Sequence, residues 1–169
     1  QRQKQNRSMN TQASKEPLMS TPVVITDVRK GTMWIRLNRP DAMNSLTPAV
    51  LRGIDHALNE AQSRGDVISV VLTGTGRAFC AGADLKYVKT QAGESGTSGF
   101  LDSVLSTMNR IDRFPKPVIA ALNGITLAGG LELVLCCDLV LAARSAKIGD
   151  AHANYGLIPG GGGSVRLPR

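Results

Sequence analysis

The chain has 169 residues, 42% of them hydrophobic and 4% aromatic, with a formal net charge of +7. That is the length of one domain with enough apolar content for a core, which excludes global disorder, and no apolar run is long enough to cross a bilayer. Residues 1–20 hold +3 of the charge, without a basic stripe interleaved with aromatics or a nucleic-acid-binding motif, so the excess reads as scattered solvated charge or as a complement to an anionic, phosphate-bearing ligand.

Residues 1–22 are polar and lack an apolar h-region, which argues against a secretory signal. They read as a disordered tail, an upstream extension or a vector-derived addition, with Met19 a plausible natural start; their Arg and Ser content leaves a transit peptide open. Residues 23–28 and 32–37 are expected to be strands joined by a turn at Lys30-Gly31, and Trp34 and Arg36 alternate with Met33, Ile35 and Leu37. Thr47-Pro48 supplies an N-cap and a first-turn proline for a helix ending near Gly65. Its stripe is Val50, Leu51, Ile54, Ala57, Leu58 and Ala61, and His56 falls on the polar side. Residues 68–73 form the next strand.

Residues 91–99, rich in Gly and Ser, are expected to be a mobile segment. A helix over about 100–114 follows, with Leu101, Val104, Leu105, Met108 and Ile111 on one side. Residues 118–122 read as a buried strand, about 128–137 as a helix and 139–143 as another strand. The end is loop-rich, with Pro159 and glycines 160–163 and no closing helix after them. Alternating strands and helices indicate an α/β fold in which strand–strand–helix units recur. Cys80, Cys136 and Cys137 are odd in number, and two are adjacent in an apolar run; this fits core packing in a reducing compartment rather than a disulfide framework.

Two segments carry chemistry. Phe79-Cys80-Ala81-Gly82-Ala83-Asp84-Leu85 and Asn123-Gly124-Ile125-Thr126-Leu127-Ala128-Gly129-Gly130-Leu131-Glu132 each offer bare main chain where a strand ends. Two such segments can point two backbone N–H groups at one oxygen and stabilise an enolate or other oxyanion. Glu132 lies one helical turn past Gly129, so its carboxylate either reaches a substrate held there or is a solvated first-turn residue beside glycines that serve close packing. Asp84 either caps the next helical turn or takes part in the chemistry. Gly74-Thr75-Gly76 lacks the third glycine of a dinucleotide fingerprint, and glycines 160–163 lack the Lys-Ser/Thr of a P-loop; that run reads instead as a tight turn beside an acyl pocket.

Taken together, these residues resemble the crotonase, or enoyl-CoA hydratase/isomerase, superfamily. The resemblance also rests on Asn38-Arg39-Pro40-Asp41-Ala42-Met43-Asn44, Lys116-Pro117-Val118, Cys137-Asp138-Leu139, Ala146-Lys147-Ile148 and Gly156-Leu157-Ile158-Pro159-Gly160, in the family's order over residues 23–169. It implies a spiral of strand–strand–helix units, here an incomplete core domain over 23–169 without the family's C-terminal helices. It implies an enzyme acting on acyl-CoA thioesters: hydration of a 2-enoyl-CoA or its reverse, with isomerisation or carbon–carbon bond hydrolysis as the alternatives on the same scaffold. The resemblance places the oxyanion hole on the N–H groups of Ala83 and Gly129, and substrate contacts on Ala42, Ala81, Gly82, Ala83, Asp84, Leu85, Lys86, Gly129 and Gly130. It makes Glu132 the first acid/base, implies homotrimers or homohexamers, and calls for no metal or redox cofactor, coenzyme A being part of the substrate. A cytoplasmic enzyme with no nucleic-acid or membrane partner is expected; the rival from another class is a non-catalytic CoA-thioester or RNA-binding module, suggested by the basic tail.

One position departs from the hydratase pattern. Where hydratases of this family carry a second glutamate after the Ala-Lys-Phe segment, this chain has His152. Hydration needs one group to activate water and another to protonate the α-carbon, and histidine can do either near neutral pH. His152 is therefore the second acid/base or a spectator, and Asp150 either orients its imidazole or is simply solvated. Histidine here also resembles superfamily members that cleave carbon–carbon bonds in diketones.

Overall fold

The computed structural model describes residues 21–90 and 94–168. Almost all of the expected N-terminal tail, 1–20, lies outside them, as do 91–93 of the glycine-serine segment.

The chain opens with a hairpin, β1 (Val24–Arg29) and β2 (Thr32–Leu37), paired antiparallel. Lys30 and Gly31 both take positive φ, 48° and 78°, the geometry that a two-residue hairpin turn needs to match strand twist. Met33, Ile35 and Leu37 are buried, as the alternation predicts. Helix α1 (Pro48–Ser63) starts where expected: Thr47 Oγ1 accepts from the Val50 N–H at 3.4 Å, Pro48 opens the first turn, and all six residues of the predicted stripe are buried. Its C-terminal carbonyls are met by Lys116, whose Nζ donates to Ala61 O at 2.6 Å and Arg64 O at 2.8 Å.

From there the chain repeats one unit. A strand joins the parallel part of a large mixed sheet, a short strand enters a small one, and a helix crosses back. The first unit is β3 (Ser69–Gly74), β4 (Ala78–Cys80), α2 (Leu85–Thr90) and α3 (Glu94–Asp112). The second is β5 (Val118–Leu122), β6 (Ile125–Leu127) and α4 (Gly129–Val134). The third is β7 (Leu139–Ala142) and β8 (Ile148–Gly149), a 3-10 turn over His152–Tyr155, and α5 (Gly163–Arg166). The large sheet runs β1-β2-β3-β5-β7 and the small one β4-β6-β8. Parallel neighbours require a crossover between them, and the helices supply it.

Several expectations need revising. Helix α3 begins at Glu94, so residues 94–99 are helical rather than a mobile linker: burial of Phe100 and Val104 anchors a turn that low Gly propensity would disfavour. The buried face of α3 is Phe100, Val104, Met108 and Ile111, while Leu101 is exposed. Helix α4 stops at Val134, not Cys137. Tight turns at Cys136 and Cys137 then bring Asp138 round, and its Oδ2 accepts the Val118 N–H at 2.8 Å at the start of β5. A single helical turn, α5, starts at Gly163, the last glycine of the run, where no element was expected.

The core gathers β2, β3, β5, α1, α3 and Phe79 with Cys80 of β4. Cys80 and Cys136 are buried and Cys137 nearly so; burial pushes their thiols up to about 12, about 11 and about 12, which fits packing rather than reactivity. His56 is exposed. Strand β7 is exposed along its length, and Ile148, Tyr155, Leu157, Ile158, Val165 and Leu167 extend an apolar surface over this part of the chain. Among the described residues no helix is long and apolar enough to cross a membrane.

Candidate active site

The site begins with two asparagines that shape its first wall. Asn44 is fully buried with φ 56°. Its Oδ1 accepts the Arg39 N–H at 2.8 Å, and its Nδ2 donates to Thr75 O at 2.9 Å and Ala78 O at 2.7 Å. Asn123 grips the same segment from the other side, accepting from Gly74 N–H at 3.1 Å and donating to Gly76 O at 2.8 Å. Together they set the approach to β4 and to the loop after it.

That loop is pinned main chain to main chain. Ala81 N–H donates to Met43 O, Leu46 N–H to Gly82 O, and Asp84 N–H to Leu46 O, at 3.1, 2.8 and 2.9 Å. Between these bonds the Ala83 N–H has no acceptor among the described residues. Asp84 is engaged elsewhere. Its Oδ2 takes Arg39 Nη2 at 2.9 Å, and its Oδ1 takes the N–H groups of Lys86 and Tyr87 at 3.1 and 3.2 Å, capping α2. Burial pushes the Asp84 carboxyl up, but the Arg39 guanidinium and the capping N–H groups outweigh it and hold it below its ordinary value.

The second wall is the turn from β6 into α4. Ala128 sits at φ 48° and ψ −120°, a conformation costly for any residue with a Cβ, with its N–H on Gly149 O at 3.2 Å. This sharp corner leaves the Gly129 N–H, at the first position of α4, also without an acceptor among the described residues. The two walls touch: a Cβ placed on Gly129 would stand 3.6 Å from Ala83 N, and one placed on Gly82 would stand 3.2 Å from Gly129 N. The walls come this close because Gly130 carries no side chain. A Cβ there would lie 2.1 Å from Cys80 O.

Glu132, on the same short helix, is 4% exposed. Its Oε1 accepts the N–H groups of Gly161 and Gly163 at 2.7 and 2.9 Å. Its Oε2 faces His152 Nε2 at 3.6 Å, too long for a direct hydrogen bond. His152 is itself largely covered, and its Nδ1 meets Asp150 Oδ1. The same Asp150 oxygen accepts the His152 backbone N–H at 3.1 Å. Arg166 steadies the glycine loop from behind, donating to Gly161 O at 3.1 Å.

Ala83 and Gly129 thus present their amides side by side, with Ala81 and Gly82 in the pinned loop, Gly130 packed on Cys80 and Glu132 one helical turn further along α4. His152 faces Glu132. Leu85 and Lys86 lie on α2, with Lys86 exposed, and Ala42 ends the 3-10 turn of 40–42, its carbonyl accepting the Ser45 N–H. Glycines 160–163, expected as a tight turn beside an acyl pocket, also supply the clamp on Glu132 through the N–H groups of Gly161 and Gly163. Four consecutive glycines were the available signal, since only bare backbone approaches a carboxylate so closely. A Cβ on Gly161 would stand 2.7 Å from Glu132 Oε2.

A strand–strand–helix spiral whose loops bring two bare amides together, one helical turn before a clamped carboxylate, defines an α/β chain of the crotonase type. The sequence profile described as enoyl-CoA hydratase/isomerase matches residues 27–169, and the chain belongs to that family. Its structure is similar to the crystal structure of an enoyl-CoA hydratase from Bacillus anthracis, with a TM-score of 0.83 and 40% identity over 87% of this chain and 57% of that one. It is 36% identical over 137 residues to the short-chain-enoyl-CoA hydratase of Clostridium acetobutylicum, covering 80% of this chain and 52% of that protein. It is 37% identical over 147 residues to the mitochondrial methylglutaconyl-CoA hydratase of Mus musculus, covering 86% and 46%. The chain therefore spans about half the length of these relatives.

Proposed function

We propose that this chain carries the thioester-binding and acid/base core of an acyl-CoA-processing enzyme, and that its reaction is the reversible hydration of a 2-enoyl-CoA. The observation that carries the reading is the pair of unengaged amides, Ala83 and Gly129, side by side and one helical turn from buried Glu132. A thioester oxygen held by both N–H groups becomes a better electron sink, so the β-carbon is more electrophilic and charge developing on oxygen is stabilised. Water then adds to the β-carbon, one proton of that water leaves to the acid/base pair, and the pair returns a proton to the α-carbon. Glu132 is the main acid/base and His152 the second. Nothing in this scheme calls for a metal or redox cofactor.

The assay is hydration of crotonyl-CoA by the chain and by its Glu132→Gln and His152→Ala variants, with double-bond migration measured alongside. Loss of hydration in both variants is expected, by about 10²–10⁴-fold for a positioned acid/base group. Activity that survives both changes would overturn the assignment. His152, in place of the usual second glutamate, favours isomerisation or carbon–carbon bond hydrolysis as the second reading, and selective loss of one activity separates them. Tighter binding of RNA than of acyl-CoA would instead support the non-catalytic module.

Assembly as a homotrimer or homohexamer is supported by the apolar surface over β7, β8 and the residues after them; light scattering of the full-length protein tests it. A cytoplasmic location is supported by three unpaired thiols.

A further inference from the structure

Resting on the reading in which Glu132 and His152 share the acid/base work, we propose that Asp150 is the positioning residue for His152: it takes the Nδ1–H of the imidazole and leaves Nε2, which faces Glu132, as the nitrogen that gives and receives the proton. The three side chains form a line from the surface inward. The Asp150 side chain is 39% exposed, that of His152 12% and that of Glu132 4%. One oxygen, Asp150 Oδ1, contacts both the imidazole Nδ1 and the His152 main-chain N–H, at 3.1 Å for the latter, so ring and backbone are referred to a single point. From the far side, the Leu157 N–H donates to His152 O at 3.1 Å and closes the 3-10 turn that presents the ring.

The consequence is chemical. A neutral imidazole carries one proton, and the hydrogen bond at one nitrogen decides which nitrogen keeps it. With the proton on Nε2, the ring would offer Glu132 only a donor and could accept nothing from a water seated beside both groups. With the proton on Nδ1, Nε2 is bare, and the 3.6 Å gap to Glu132 Oε2 lies between a base and a carboxylate that can share one water. The backbone N–H of His152, and after it the imidazole, hold the Asp150 carboxyl below its ordinary value, so it accepts as an anion at neutral pH.

The chain contains two histidines, and exposed His56 serves as an internal reference. Long-range proton–nitrogen correlation spectra at alkaline pH read each tautomer directly. The expected result is Nδ1–H at His152 in the parent chain and a proton moved to Nε2 in Asp150→Ala, with the His56 pattern unchanged. Asp150→Asn, which keeps an acceptor for the His152 main-chain N–H, guards against local unfolding and is expected to lower kcat on crotonyl-CoA by about tenfold or more, up to the ~10²–10⁴ that a positioned base contributes, at unchanged KM. Nε2–H at His152 in the parent, or Nδ1–H retained in Asp150→Ala, overturns the proposal. A tautomer change in a chain that hydrates no enoyl-CoA upholds the role of Asp150 and removes the hydration reading instead.

Discussion

Replacing Gly129 by Ala separates fold from function at a single methyl group. A Cβ at this position would meet Leu46 Cδ1 at 3.4 Å, Gly82 Cα at 3.5 Å and Ala83 N at 3.6 Å, all ordinary contact distances, and Gly129 is not among the glycines with positive φ. The protein therefore has no reason to shift. Alanine is the better helix former by about 0.8–1 kcal/mol in a helix interior, and by less at the first position of α4, so thermal stability should hold or rise by a degree or two. The same methyl, 3.6 Å from Ala83 N and attached beside the Gly129 N–H, is expected to crowd an oxygen that hydrogen-bonds to both amides. Losing one oxyanion donor costs about 10²–10³ in kcat, and blocking the shared position should cost at least that much. The assay pairs a circular-dichroism melt with the loss of enoyl-thioester absorbance on crotonyl-CoA. Full turnover in a Gly129→Ala chain that melts normally would refute the role of this amide. A collapse of the melt would refute the steric argument.

The neighbouring substitution should behave in the opposite way. Gly130→Ala sets a Cβ 2.1 Å from Cys80 O, a main-chain atom that cannot rotate aside, so unfolding free energy should fall by about 1–3 kcal/mol or more in a denaturant melt. Asn44→Ala strands buried partners at Arg39, Thr75 and Ala78 and puts a Cβ residue without a local amide at φ 56°; a loss of about 2–4 kcal/mol is expected from the same melt. The Arg39–Asp84 pair predicts a pH dependence. Because the folded Asp84 carboxyl lies below its unfolded value, its contribution is present above about pH 4 and is lost as pH falls through the lowered folded value. The stability gap between the parent and Arg39→Met should therefore be widest at neutral pH and narrow under acid; a gap that widens under acid would contradict the assignment.

The sequence shows best what depends on short-range pattern. The stripe of α1, the cap at Thr47 and the alternation in β2 need only neighbours along the chain, and each appears as read. The short strands β4, β6 and β8 did not show, because two or three residues carry no period; they exist through pairing with one another across successive units. Helix α4 was read too long because apolar residues continue through Cys137, and the tertiary bond from Val118 N–H to Asp138 ends it first. In the site, bare backbone at Ala83 and Gly129 and the carboxylate at Glu132 were legible as local composition. The clamp from Gly161 and Gly163 was not, since it joins residues some thirty positions apart that meet only in the folded chain.

Two amides acting on one carbonyl are the centre of the proposed chemistry, and the carbonyl can report them. A saturated thioester such as butyryl-CoA, carbon-13 labelled at the thioester carbonyl, binds without reacting and gives one resonance to follow. Two N–H donors predict a downfield displacement of that resonance on binding, and its loss in Gly129→Ala. A bound thioester whose carbonyl resonates where it does in free solution would contradict the account.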